Sequence, residues 1–169
     1  PVPVLTDFTS QSTCATKPAV FTETNSGGAD PAVSWSWDFA GQPDTGSPAQ
    51  HVFSTVGSFP VKLSSTRLSG CVYSVTKSIN IIQPPVAQFV MTPEGGGAPL
   101  TVDFTNTSSL ATNFLWKFSN VNNSTSTEYS PSFVFDQLGT YPVELIASNS
   151  IGCSDSITND VQVVVPQMN

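Results

Sequence analysis

The sequence predicts an all-β protein built from two consecutive β-sandwiches. Apolar and polar residues alternate with a period of two in several short runs, which is typical of strands with one buried face. Clusters of glycine, proline, serine and asparagine separate these runs, as in sandwiches of short strands. A long motif also occurs twice, and a repeat of this length corresponds to a whole domain rather than to one unit of a solenoid.

The strand signals come in matching pairs, one in each half of the chain. Each half contains an aromatic strand, a strand of the pattern aromatic-Pro-Val-x-Leu, and a closing aliphatic strand. In chain order, the apolar residues of these runs are Val33, Trp35, Trp37 and Phe39; Phe59, Val61 and Leu63; Ile79 and Ile81; Phe114, Trp116 and Phe118; Tyr141, Val143 and Leu145; Val161 and Val163. We expect Trp37 and Trp116 in the two cores, because a buried tryptophan in a central strand organises such sandwiches.

Proline and glycine modify two of these expectations. Pro60 and Pro142 lie at the same place inside the second strand of each copy. Proline has no N–H for a ladder, so we expect this position to face outward from the strand pairing, at a sheet edge or a bulge. The run Gly95-Gly96-Gly97 is interpreted as a turn.

The repeat places the domain boundary in the middle of the chain. Residues 51–63 recur within residues 132–145, with an offset of 82 residues from Phe53 to Phe135. The offset holds again for Gly70-Cys71 and Gly152-Cys153. The run Gln83-Pro84-Pro85 lies between the copies and is typical of a short, stiff linker. We therefore expect two domains, residues 1–84 and 85–169, each large enough to fold independently.

Composition excludes some partners. Only 10% of the 169 residues are charged, and the net charge is −7. Phosphate binding needs clustered Lys and Arg, so nucleic acid is not an expected partner. No apolar run is long enough to span a membrane, so we expect no insertion by this segment. The chain begins Pro-Val-Pro and ends in what resembles a further linker, so we expect a segment of a longer repeat array.

The three cysteines predict an oxidising location. Cys14 precedes the second strand of the first copy, and Cys71 follows Gly70 in a late hairpin. These two places can meet in a sandwich, so we expect a Cys14–Cys71 disulfide that stabilises the first domain by roughly 4 kcal/mol and indicates an extracellular or cell-surface location. Cys153 has no expected partner in the second copy. It is interpreted as a buried thiol or as the site of an intermolecular disulfide.

Four motifs together resemble the PKD (polycystic-kidney-disease) domain family. They are the opening run from Pro99 to Ser108, the central Trp37-Asp38-Phe39 and Trp116-Lys117-Phe118, the strand from Gly139 to Leu145, and the hairpin from Asn149 to Cys153. The family usually continues Trp-Asp-Phe with Gly-Asp-Gly. This chain has Ala40-Gly41-Gln42 and Ser119-Asn120-Val121 instead.

The resemblance implies an immunoglobulin-like (PKD-type) β-sandwich in each copy, an extracellular location and no catalysis. The Gly-Cys hairpin resembles a variant found in large surface proteins of gliding bacteria, which are exported by the type IX route.

Few residues are candidates for chemistry. The single histidine, His51, aligns with Phe133 and is expected to pack, since no Ser-His-Asp arrangement surrounds it. No zinc-type spacing or phosphate loop is present, so no cofactor is expected. Calcium is left open, because carboxylates could supply its oxygen ligands. We favour Asp38 with the 40–46 turn, or the joint between the copies, for such a site; the other candidate ligands are Asp30, Asp44, Asp103 and Asp160.

Two functional hypotheses follow. In the first, the chain is a non-catalytic structural or adhesive stalk segment whose partners are neighbouring repeats, surface glycans or other surface proteins. In the second, it is an accessory carbohydrate- or protein-binding pair beside a secreted hydrolase. The second hypothesis predicts an exposed aromatic row on one sheet, with Trp35, Tyr73 and Tyr129 as the candidate ligand-facing residues. An enzyme has no supporting constellation.

Overall fold

The described residues form β-strands and no helix, which confirms the all-β prediction. The computed structural model describes residues 6–11, 13–24, 29–119 and 123–165. The chain divides into unit 1, Pro1–Gln83, and unit 2, Pro84–Asn169. No helix among these described segments is long and apolar enough to cross a membrane.

Unit 1 is a sandwich of two antiparallel sheets. Its strands are β1 Phe8–Gln11, β2 Pro18–Glu23, β3 Ala32–Phe39, β4 Gln42–Thr45, β5 Ala49–Val52, β6 Gly57–Arg67 and β7 Val72–Ile81. One sheet has the order β1-β2-β5 and the other the order β4-β3-β6-β7. The inward-facing side chains of both sheets form one core, because alternate residues of each strand point to the same face.

Unit 2 repeats this plan with one additional strand. Its strands are β8 Phe89–Thr92, β9 Gly95–Gly97, β10 Leu100–Asn106, β11 Asn113–Phe118, β12 Ser124–Ser126, β13 Ser132–Phe135, β14 Gly139–Ser148 and β15 Ser154–Val164. The sheet orders are β13-β10-β8 and β12-β11-β14-β15-β9. The residues predicted as a glycine turn instead form β9, which pairs in parallel with β15. Glycine permits this pairing, since a Cβ on Gly95 would lie 2.7 Å from the backbone oxygen of Gln162.

The two cores are built from equivalent aromatic residues. Trp37 and Trp116 are both buried, as predicted, and each indole N–H donates to a loop carbonyl. The acceptor is Gly46 O at 2.7 Å in unit 1 and Glu128 O at 2.9 Å in unit 2. A buried indole N–H left without an acceptor would be destabilising, so these bonds let tryptophan occupy both cores.

The recurring proline faces out of the strand pairing, as expected, but it lies in a central strand rather than at an edge or a bulge. Pro60 belongs to β6, which runs between β3 and β7. Its carbonyl accepts the N–H of Ala40 at 3.1 Å, just beyond the last β3–β6 pair, Phe39 with Val61. Because the N–H and C=O of a residue in an antiparallel strand point to the same neighbour, the missing donor of Pro60 faces a strand that has already ended.

Candidate functional site

Unit 1 contains a buried ion pair at one end of its core. Glu23 on β2 and Arg67 on β6 lie on opposite sheets, and their side chains are 4% and 1% exposed. The distance from Arg67 Nη2 to Glu23 Oε1 is 3.6 Å. Arg67 also donates to Thr6 Oγ1 at 3.2 Å. Charges this deeply buried need partners, because removing them from water costs several kcal/mol.

Two of the predicted ligand-facing aromatics enclose this ion pair. Ser65 on β6 pairs with Trp35 on β3 and with Tyr73 on β7, so the two aromatics flank it on the inward face of the larger sheet. Trp35 is half-buried, and its indole N–H donates to Glu23 Oε2 at 3.0 Å. The Arg67 guanidinium lies 5.9 Å from the Tyr73 ring centroid, an arrangement in which cation and ring attract each other. Trp35 is thus engaged with the ion pair, whereas Tyr73 is still 38% exposed. Their contact with a ligand stays a prediction.

Tyr129, the third aromatic candidate, lies in unit 2 and is 58% exposed. Its ring meets Phe114 edge-to-face, with centroids 5.1 Å apart. Phe114 is the residue that answers Trp35 in the repeat, and its ring also packs against the core of unit 2. Tyr129 is thus the most exposed of the three aromatics, and its contact with a ligand stays a prediction.

Sequence reasoning missed the Glu23–Arg67 pair. The signal for Arg67 was present in the alternation, because residues 61, 63, 65 and 67 of β6 share the inward face. In unit 2 the equivalent positions hold Asn106 and Asn149. Asn106 is buried and its Oδ1 accepts the Ser108 N–H at 2.9 Å. The ion pair is therefore a property of unit 1 rather than of the repeat.

The outward face of the larger sheet in unit 1 carries a groove of about 600 Å³. Its lining includes Ser34, Ser36, Thr45, Ser64 and Thr66. The remaining lining residues are Val33, Trp35, Gly46 and Val72. The groove is thus lined by hydroxyl and apolar groups, and no charged side chain contributes to it.

The predicted Cys14–Cys71 disulfide is wrong. Cys71 is an exposed free thiol, whereas Cys14 and Cys153 are buried, disulfide-bonded cysteines. Cys71 immediately precedes β7, and Cys14 pairs with Ile82 immediately after it. The 10 residues of β7 span roughly 30 Å at ~3.3 Å per residue, far beyond the ~7 Å Cα separation that a disulfide permits. The interpretation of Cys153 as a free buried thiol is also wrong.

His51 packs as predicted. Its ring stacks on Phe39 with centroids 4.6 Å apart, and Phe133 stacks on Phe118 at 4.2 Å in unit 2. Burial lowers the pKa of His51 below its ordinary value of 6.5, and the nearby Asp44 carboxylate opposes this only partly. The imidazole is therefore neutral at pH 7 and acts as an aromatic packing residue.

Two of the carboxylates considered for calcium accept hydrogen bonds from nearby residues. Asp38 Oδ1 accepts the N–H of Gly41 at 2.6 Å and closes the turn after β3. Asp30 accepts both the N–H and the hydroxyl of Ser69, at 2.9 and 2.8 Å. Within the segments that the structure describes, no group of three or more His, Cys, Asp or Glu side chains could hold a metal ion. Asp38 thus has a role in the turn, and calcium binding there stays a prediction.

Comparison with known proteins identifies the family. A family profile described as PKD domain matches residues 1–82 and again residues 82–165. The chain belongs to the PKD domain family. It consists of two PKD domains in tandem, a type of module that is typically non-catalytic and occurs in secreted bacterial proteins. No curated protein sequence matches the chain.

Solved structures that are similar to this chain include individual PKD domains and fibronectin(III)-like modules. The PKD1 domain of Vibrio anguillarum Epp is 30% identical, with 50% of this chain and 98% of that domain covered and a TM-score of 0.42. The PKD1 domain of the Vibrio cholerae metalloprotease PrtV is 34% identical, with 47% and 96% covered and a TM-score of 0.41. The fibronectin(III)-like modules of Clostridium thermocellum CbhA share 15% identity over 95% of both chains, with a TM-score of 0.52. This last likeness supports the fold of β-sandwiches.

Proposed function

We propose that this PKD pair is a non-catalytic structural and adhesive segment of a larger secreted or cell-surface protein. The observation that carries the proposal is the completeness of each core. Each unit buries its own tryptophan, phenylalanines and aliphatic residues between its own two sheets. Units with complete cores can be repeated along a chain, because each has the buried area it needs to fold.

The cysteine chemistry supports an extracytoplasmic location. Cys14 and Cys153 are disulfide-bonded, and structural disulfides persist where the environment is oxidising. Export by the type IX route rests on the resemblance of the Gly-Cys hairpin to surface proteins of gliding bacteria. A C-terminal sorting domain in the parent gene would support that route, and a different export signal would contradict it.

Force spectroscopy tests the structural role. With reductant present, stretching the chain between its ends should give two unfolding events, each releasing up to roughly 280 Å for a domain of about 80 residues. Two events with similar length increments would support a mechanically resistant spacer. Smooth extension without discrete events would contradict it.

A second candidate function is an accessory binding module beside a secreted hydrolase. The groove of unit 1 favours it, since a groove of about 600 Å³ is within the usual range for ligand sites. The sequence flanking this segment in the parent gene separates the two candidates. Further PKD repeats support the stalk, and an adjacent catalytic domain supports the accessory role.

A further inference from the structure

Four hydroxyl groups form a row across the outward face of the larger sheet in unit 1. Thr45 on β4 lies opposite Ser36 on β3, Ser36 lies opposite Ser64 on β6, and Ser64 lies opposite Ser74 on β7. Residues in direct register share one face of a sheet, with strands about 4.8 Å apart. The row therefore crosses the sheet at regular intervals.

A second row with hydroxyls lies two residues away. Ser34 is opposite Thr66, and Thr66 is opposite Val72. Next to it the β3–β6 register shifts, and Val33 at this shift is 53% exposed. The two rows and Val33 line most of the groove, which combines hydrogen-bonding hydroxyls with small apolar groups.

On the same face, the next row beyond Ser36 and Ser64 contains one negative and one positive side chain. Asp38 lies opposite Lys62, and such cross-strand pairs offset each other. The two hydroxyl rows themselves contain no charged residue. The whole chain has a net charge of −7. A polyanion would be repelled by this chain and would find no cationic cluster on the face.

From this arrangement we propose that the outward face of β4-β3-β6-β7 binds a neutral polysaccharide. Sugar hydroxyls can donate to and accept from serine and threonine, and the apolar faces of sugar rings can cover Val33 and Val72. A polymer suits the site because one bound chain can contact a row of groups that extends across four strands. This inference rests on the proposed adhesive role and names the ligand class for it.

Unit 2 supplies an internal control. The residues equivalent to Ser36 and Ser64 are Leu115 and Ile146, which lie opposite each other in β11 and β14. The same sheet thus accommodates aliphatic side chains at these two positions. The double variant Ser36→Leu/Ser64→Ile removes two hydroxyls from unit 1 and introduces residues that the fold tolerates.

The test measures retention of the whole chain on insoluble cellulose, chitin and starch, with heparin-agarose as the anionic comparison. We expect retention on at least one neutral glycan and none on heparin. The double variant should bind at least about tenfold more weakly, since two hydrogen bonds are lost. A matched control, Thr22→Val on the exposed face of the other sheet, should bind like the wild type. Circular dichroism and the unfolding temperature establish that each variant is folded.

Several outcomes would overturn the inference. They are the absence of wild-type retention on all three neutral glycans, equal retention of the folded double variant, and preferential binding to heparin. If the chain is retained on none of the neutral glycans but stretching still gives two unfolding events, the polysaccharide inference fails while the structural role stands. If retention is found but no discrete unfolding occurs, the binding face stands and the spacer role fails.

Discussion

The buried Glu23–Arg67 ion pair provides the sharpest test of how unit 1 is held together. Arg67→Met keeps most of the side-chain volume but removes the charge that faces Glu23, whose carboxylate is 4% exposed. We expect a loss of about 3 kcal/mol, because removing one partner of a buried ion pair leaves the other charge uncompensated. For a domain of this size the loss corresponds to roughly 15 °C in unfolding temperature.

The double variant Glu23→Leu/Arg67→Met separates charge from packing. Breaking the pair leaves a buried charge, whereas replacing both partners by apolar groups removes it and is often close to neutral. The Glu23 carboxylate also accepts the Trp35 indole N–H, so its loss leaves that donor unbonded. We therefore expect the double variant to recover about half or more of the stability lost in Arg67→Met.

Tryptophan fluorescence can isolate unit 1 in this assay. Unit 1 contains Trp35 and Trp37, and unit 2 contains Trp116. In a Trp116→Phe background, urea unfolding followed by fluorescence reports on unit 1 alone. A loss below 1 kcal/mol in Arg67→Met would refute the reasoning, as would a double variant that is less stable than Arg67→Met.

Three further predictions follow from the structure. In unit 2, Gly95→Ala should reduce the unfolding free energy by about 1–3 kcal/mol, because its Cβ would lie 2.7 Å from the backbone oxygen of Gln162. Gly96→Ala is the milder control, because the nearest atom to its Cβ would be a Leu100 methyl carbon at 2.8 Å, which belongs to a flexible side chain. Equal losses in the two variants would contradict the argument. His51→Phe should make unit 1 less sensitive to acid. Because the pKa of His51 is lowered in the folded state, wild-type stability should decline as the pH falls below about 6.5. Parallel curves of stability against pH for the two proteins between pH 5 and 7 would contradict this. Labelling of the folded, oxidised chain with a maleimide should modify one thiol, Cys71; Cys71→Ser should abolish labelling without changing the unfolding temperature, and labelling of Cys14 or Cys153 would contradict the assignment.

The amino-acid sequence was sufficient to predict the main strands of each copy and the aromatic residues of the two cores. Period-two alternation identifies which residues share a face, and the burial of Trp37 and Trp116 followed from it. The packing role of His51 followed from its alignment with Phe133, because the two positions perform the same packing in the two copies. These inferences are local, or they compare one copy with the other.

Inferences about which end of a sandwich a residue occupies were less reliable. Cys14 and Cys71 were expected to meet, but the full length of β7 separates them. Pro60 was assigned to an edge or bulge because its missing N–H is visible in the sequence, whereas the early end of the neighbouring strand is not. In Gly95–Gly97, close approach of β15 rather than a turn explains the glycines.

By itself, the sequence determined the all-β class, the two copies and the aromatic cores, because alternation and repetition are properties of the chain alone. The tertiary structure decided which cysteines are bonded, where Arg67 finds its carboxylate, and which hydroxyls align across four strands. These features depend on strand register and on the pairing of distant segments. A shift of one residue in register turns every side chain of a strand to the other face, so the hydroxyl rows become visible only when the sheet is assembled.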